Sequence, residues 1–166
     1  VTTPGPGMTA GGMDFMDVMA RQAECTFADA VRGVAMVATG QDVPGGFEAQ
    51  YRFLLDKGAV RPGWNIKPEQ WVDQGTLAFM LYRAMALRGG VNMVVFASWG
   101  LGDRRYAFRE LRYRGVLEHG SEVTYVTGPA LVTALTKADE YMLKAGKYAL
   151  EKPVELGEKP QRGEKK

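Results

Sequence analysis

The chain has 166 residues, 46% of them hydrophobic, with 21 basic against 19 acidic side chains and a formal net charge of +2. That is enough for one buried core or two very small ones, and the near balance of charge argues against a surface built for nucleic acid. A single cysteine, Cys25, excludes an internal disulfide and a multi-cysteine metal site. Its place beside Thr26 and Phe27 at a helix start suits a buried thiol. No run reaches the ~18 apolar residues of a membrane span, and "GVNMVVFASWG" is too short. The chain opens on Val1 without a basic-then-apolar leader, as a mature exported protein would and as a chain trimmed in another way would. The expectation is export, to the cell envelope or periplasm.

In chain order, residues 1–12, "VTTPGPGMTAGG", are too rich in Gly, Pro and Thr for a helix or core strand and read as an extended arm. "MDFMDVMARQAE" follows as a helix, with Met13, Met16, Met19 (or Ala20) and Ala23 inward and Asp14 and Asp17 at its N-terminal end. A second helix starts at Thr26 as N-cap, carries Phe27, Val31, Val34, Ala35 and Ala38 on one face, and stops at Gly40. A third has the stripe Phe47, Tyr51, Leu54 and Leu55 and ends at Gly58. After the apolar step Ala59–Val60 and the turn "RPGWNIKPEQ" comes a helix with Leu77, Met80, Leu81, Ala84 and Met85 inward, stopped by Gly89 and Gly90. The pattern then recurs. A helix from Arg104 to Arg114 turns Phe108 and Leu111 inward, Gly115 ends it, and Val116–Leu117 form a step. "EHGSEVTYVTGP" leads to a last helix with Leu131, Ala134, Leu135, Ala138 and Met142 inward. Residues 147–166, with "GEK" twice and two prolines, form a charged extended tail.

Two tandem copies of one unit account for this recurrence. A shift of 57 places Tyr51 on Phe108, Leu54 on Leu111, Gly58 on Gly115 and Val60 on Leu117. With the second turn three residues shorter, a shift of 54 places Val72 on Val126, Leu77 on Leu131, Leu81 on Leu135 and Ala84 on Ala138. A shared amphipathic period matches stripes by chance, but not helix, glycine stop, apolar step, turn and helix in order. Neither copy can bury its apolar face alone, so they must pack on each other or on partners. The fold is therefore expected to be mainly α, with a very short strand at each apolar step. The divisions are an arm over 1–12, an N-terminal helix plus first repeat over 13–90, a second repeat over 91–146 and a tail over 147–166.

The unit resembles the S-layer homology (SLH) repeat, which has a helix, a "KG-I/V" step, a "G-x-F-x-P" turn, a "V-T-R-A-E" start and a helix ending in "M-L-x-R-A". Lys57, Gly58 and Val60 match the step, Lys67 and Pro68 the turn, Val72 the start, and Ala78, Met80, Leu81, Arg83 and Ala84 the second helix. Arg114, Gly115, Val126, Thr127 and Leu135 match in the second copy, and "TFAD" at Thr26 to Asp29 is similar to the "F-x-D" that opens such repeats. The resemblance implies a helical scaffold in which repeats act in threes about a pseudo-threefold axis. Two are visible here, so the third surface is expected from the Met-rich N-terminal helix or another subunit. The arginine with which the family meets anionic cell-wall polysaccharide is replaced by Gln74 and Gly128, which removes a bidentate fork for carboxylate. Asp73 and Thr127 remain at helix starts, where capping needs no ligand.

Catalytic chemistry finds little support. His119 is the only histidine and sits in a Gly-Ser turn, so a triad or zinc site has no ready components. The glycines of "SWGLGDRR" lack a phosphate-loop lysine. "GDRRYAFRELRYRG" reads either as a helix with a solvated arginine face or as a patch for phosphate, an anionic glycan or an acidic partner. Trp64, Trp71 and Trp99 either anchor the copies or stack on a sugar or partner segment. The candidate glycan or partner groove comprises Arg61, Trp64, Trp71, Asp73, Gln74, Trp99 and Arg104. The expectation is a non-catalytic structural subunit of a bacterial cell-envelope complex, without cofactor or metal, whose tails strap onto other protein subunits. The alternative is an anchor module that binds cell-wall polysaccharide or peptidoglycan.

Overall fold

The computed structural model describes residues 10–86 and 103–148, and over these the protein is mainly helical. The helices are α1 (Ala10–Met19), α2 (Phe27–Thr39), α3 (Gly46–Asp56), α4 (Gln74–Ala84), α5 (Asp103–Tyr113) and α6 (Gly128–Lys144). α2 packs against both α4 and α6, while α3 lies on α2, α5 on α4 and α1 on α6. Leu54, Leu77, Met80, Leu81, Leu111, Leu131 and Leu135 are fully buried between them. Each such side chain stabilises the fold by about 1.5–3 kcal/mol.

Three helix starts meet at one junction, and their backbones are nearly superimposable. The N-caps Thr26, Asp73 and Thr127 have φ/ψ of −82°/165°, −87°/160° and −80°/157°. Each side chain accepts a hydrogen bond from the N–H three residues on: Asp29, Thr76 and Ala130. The residues just before the caps close a ring. Cys25 N–H donates to Val126 O (2.9 Å), Val126 N–H to Val72 O (2.9 Å) and Val72 N–H to Cys25 O (3.0 Å). A second ring surrounds the first, with Phe27 N–H donating to Gln70 O, Gln74 N–H to Thr124 O and Gly128 N–H to Gln22 O. First-turn N–H groups that a helix leaves unpaired thus find acceptors in the next segment round. Cys25, Val72 and Val126 are buried at the centre. Burial, with Asp29 adding to it, pushes the Cys25 thiol up to about 12, as an inert packed cysteine requires.

Several expected features take another form. The first helix starts at Ala10, so Gly11 and Gly12 belong to it and not to the arm, and it ends at Met19. Its buried face is Phe15, Met16 and Met19, while Met13, Ala20 and Ala23 are exposed. The cause lies in α6, because Gly128 packs against Met19 O and Gln22 O and holds the chain in a turn there. Among the described residues no strand occurs at Ala59–Val60 or Val116–Leu117; the isolated bridges join Thr26 to Trp71 and Asp73 to Tyr125. The steps bury their side chains without pairing, whereas the pre-cap segments pair because three of them converge. α4 ends at Ala84, before Gly89 and Gly90, and Ala86 turns the chain at φ 50°. There the Lys147 ammonium donates to Met85 O and to Ala86 O, capping the carbonyl end of α4. Tyr148 lies against Gly40 and donates from its hydroxyl to Asp139 Oδ1 at 2.6 Å. Residues 147 and 148 therefore belong to the fold rather than to the tail. The rest of the arm and tail, and the segment with Trp99, lie outside the described residues.

Candidate functional site

The junction opens on one side into a groove of about 510 Å³ lined by Ile66, Glu69, Gln70, Trp71, Val72, Asp73, Thr76, Arg104 and Tyr125. The turn before α4 supplies Ile66 to Trp71, the first turn of α4 supplies Asp73 and Thr76, and the start of α5 supplies Arg104. Trp71 (50% exposed) and Tyr125 (52% exposed) present large aromatic faces to solvent. Each immediately precedes a member of the buried ring. Because side chains alternate along an extended segment, burying Val72 and Val126 directs Trp71 and Tyr125 away from the core.

Of the predicted residues, Trp71, Asp73 and Arg104 line this groove and Trp64 lies beneath it. The Arg104 guanidinium stands 5.0 Å over the Trp64 ring, donates to Thr76 Oγ1 at 3.3 Å and approaches Asp73 Oδ2 at 3.9 Å. Asp73 divides its oxygens, with Oδ1 accepting from Thr76 N–H at 2.6 Å. The capping role expected of Asp73 and Thr127 is therefore present at both helix starts. Trp64 is partly buried and meets Phe79 edge-on at 5.2 Å, and Arg61 covers the other part of Phe79 at 5.0 Å. Trp64 is thus an anchor between the turn and α4, with Arg104 stacked upon it. Gln74 packs its amide against the bare Cα of Gly120, away from the groove lining. Trp99 is outside the described residues.

Tyr125, Thr76, Glu69, Gln70 and Ile66 escaped the sequence reading. The register contained the signal for Tyr125, which falls on Trp71 at the shift of 54.

A second groove, of about 760 Å³, occupies the corresponding position between α2 and α3, with α1 as its other wall. There Arg32 is held between an aromatic ring and an acid, 4.7 Å over Phe15 and 2.7 Å from Asp42 Oδ2. The same motif, arginine between ring and carboxylate, therefore arises twice from different positions along the chain. Here the arginine is more tightly paired, and Asp14 and Asp29 make the lining acidic. Among the described residues no group of three His, Cys, Asp or Glu is placed to hold a metal ion, and no helix is long and apolar enough to cross a membrane. No protein-family model, curated protein or solved structure matches the chain.

Proposed function

We propose that this protein is a non-catalytic assembly module of a bacterial cell envelope, built on SLH-like repeats, which docks a partner protein in the groove between α4 and α5. The observation that carries the docking site is the pair Trp71 and Tyr125, half exposed on either side of a groove with a buttressed arginine at its base. Aromatic side chains on rigid supports of this kind act as anchors in protein interfaces. The convergence of three capped helix starts, with "TFAD" at the start of α2, supports reading three SLH-like units rather than two. The envelope setting rests on that resemblance.

A second reading has its own observation. Arg104 occupies the groove from α5, where the family arginine at the helix start is absent, and it is partly exposed. That places a guanidinium near two aromatic faces, a combination suited to an anionic sugar. Size-exclusion chromatography with light scattering on envelope extracts, beside a pull-down against sacculi, separates the two. The protein reading expects co-elution with envelope proteins that Trp71→Ala abolishes, and no retention on purified sacculi. Retention on protein-free sacculi, lost in Trp71→Ala and Arg104→Ala alike, would establish the glycan reading instead.

A further inference from the structure

We propose a second binding site at the other end of α5, taking a phosphate-type oxyanion carried on a small organic group. Arg109, Arg112 and His119 line a shallow pocket of about 260 Å³ with Tyr113 and Leu117. Among the described residues no carboxylate lines it. Of the acids close by in sequence, Glu110 accepts from Arg114 Nε at 2.8 Å, and Glu118, largely exposed, lies 3.9 Å from Lys137 Nζ. Neither Arg109 nor Arg112 has an ion-pair partner among the described residues. Arg112 stands 5.7 Å over the Phe108 ring, which restrains its guanidinium.

The geometry has two sources. Positions 109, 112 and 113 share one face of α5 by helical spacing. The left-handed turn at Gly115 (φ 72°) then brings Leu117 and His119 back against that face. Two guanidinium forks and an imidazole line one pocket and offer several donors to a single anion. A planar carboxylate is satisfied by one bidentate arginine, whereas a tetrahedral oxyanion has three free oxygens to fill. Tyr113, 88% exposed, and Leu117 form an apolar wall for the group that bears the anion. Arg109 and Arg112 lie about 7.5 and 12 Å beyond Arg104 along the helix, by the rise of about 1.5 Å per residue. It is therefore separate from the groove of the proposed function.

The test is an NMR titration of the full chain with glycerol phosphate, inorganic phosphate, acetate and sodium chloride at matched ionic strength. Saturable shifts of residues 109–119 with both phosphates, and tighter binding of glycerol phosphate, are expected. Arg109→Ala and Arg112→Ala should each weaken binding about tenfold, the size of one lost hydrogen bond to a charged group. Arg109→Lys keeps the charge but not the fork and should also lose affinity. Equal shifts with chloride or acetate, or phosphate shifts that survive Arg109→Ala/Arg112→Ala with an unchanged melting temperature, would overturn the site. Both arginines are exposed, and an unchanged melting temperature identifies a variant as folded, so that a negative result counts against the site.

Discussion

The two ends of α2, α4 and α6 are secured in different ways. At their starts, three segments of different sequence, Cys25–Thr26, Val72–Asp73 and Val126–Thr127, adopt one backbone geometry and close one ring of hydrogen bonds. At their other ends all three run into a left-handed residue, Gly40, Ala86 and Gly146, and differ in the side chain that meets it. α2 stops at Gly40 in the left-handed conformation, with the ring of Tyr148 against it. α4 stops before Ala86 under the Lys147 ammonium, and α6 runs out at Gly146. Quasi-symmetry at the starts is thus held by backbone groups that must be satisfied in the same way three times, whereas at the far ends Tyr148 and Lys147 each add a side chain to one helix, α2 and α4. A main-chain constraint tolerates sequence divergence; a side-chain clip does not.

The most severe way to break the symmetric end is Gly128→Ala. An added Cβ would stand 1.8 Å from Met19 O and 2.6 Å from Gln22 O, both main-chain atoms. Neither can yield without opening the ring, so a loss of about 4 kcal/mol or more is expected in chemical denaturation. Gly75→Ala meets Glu122 O at 3.0 Å and should cost less, about 1–3 kcal/mol. Equal losses in the two variants would mean that the two starts are not constrained as described.

Alkaline unfolding probes the centre of the same ring. The folded Cys25 thiol is raised to about 12, so above the unfolded value near 9 the unfolded chain releases its proton first. Stability should then fall with rising pH by up to about 1.4 kcal/mol per unit between about pH 9 and 12. Burial and the bond to Asp139 also raise the Tyr148 phenol, which adds to the loss in the same direction. Cys25→Ala should flatten the pH 9 to 12 slope relative to the parent; an unchanged slope would remove Cys25 as its source.

At the clipped end, Tyr148→Phe leaves the buried Asp139 carboxylate without its donor and should cost about 1–3 kcal/mol by thermal or urea unfolding. Removal of residues 147–166 should cost more than that substitution, since Lys147 leaves α4 uncapped as well. The smallest effects are expected from the caps. Thr26→Ala, Asp73→Ala and Thr127→Ala should each lose about 1 kcal/mol. Thr26 should lead, because its N–H is also bonded by the Asp29 carboxylate in a reciprocal box. Three equal values would show that this second bond adds nothing.

Much of the local structure was legible because it depends on neighbours in sequence. Thr26 and Gly40 bound α2 as read, and the buried face of α6 is the one its 3.6-residue period selects. By contrast, α4 buries Ala78, Phe79 and Tyr82 as well as its expected stripe, because α2 and α5 both pack on it. The α1 stripe was misread because propensity continues past Met19, while the contact that ends the helix comes from Gly128, more than a hundred residues on. The groove was half legible. Trp71, Asp73 and Arg104 are there, but no local pattern reveals that Gln74 turns to Gly120 or that Trp64 lies under Arg104.

By itself the sequence determined that the chain is mainly helical and where most helices start and stop. Those properties follow from propensity, capping and hydrophobic period, which act within one or two turns. The tertiary structure alone decided that three helix starts close a ring, that Trp71 and Tyr125 flank one groove, and that Arg109, Arg112 and His119 share a pocket. Each of these depends on hydrogen bonds and packing between segments distant along the chain, whose partners the backbone selects only once it has folded.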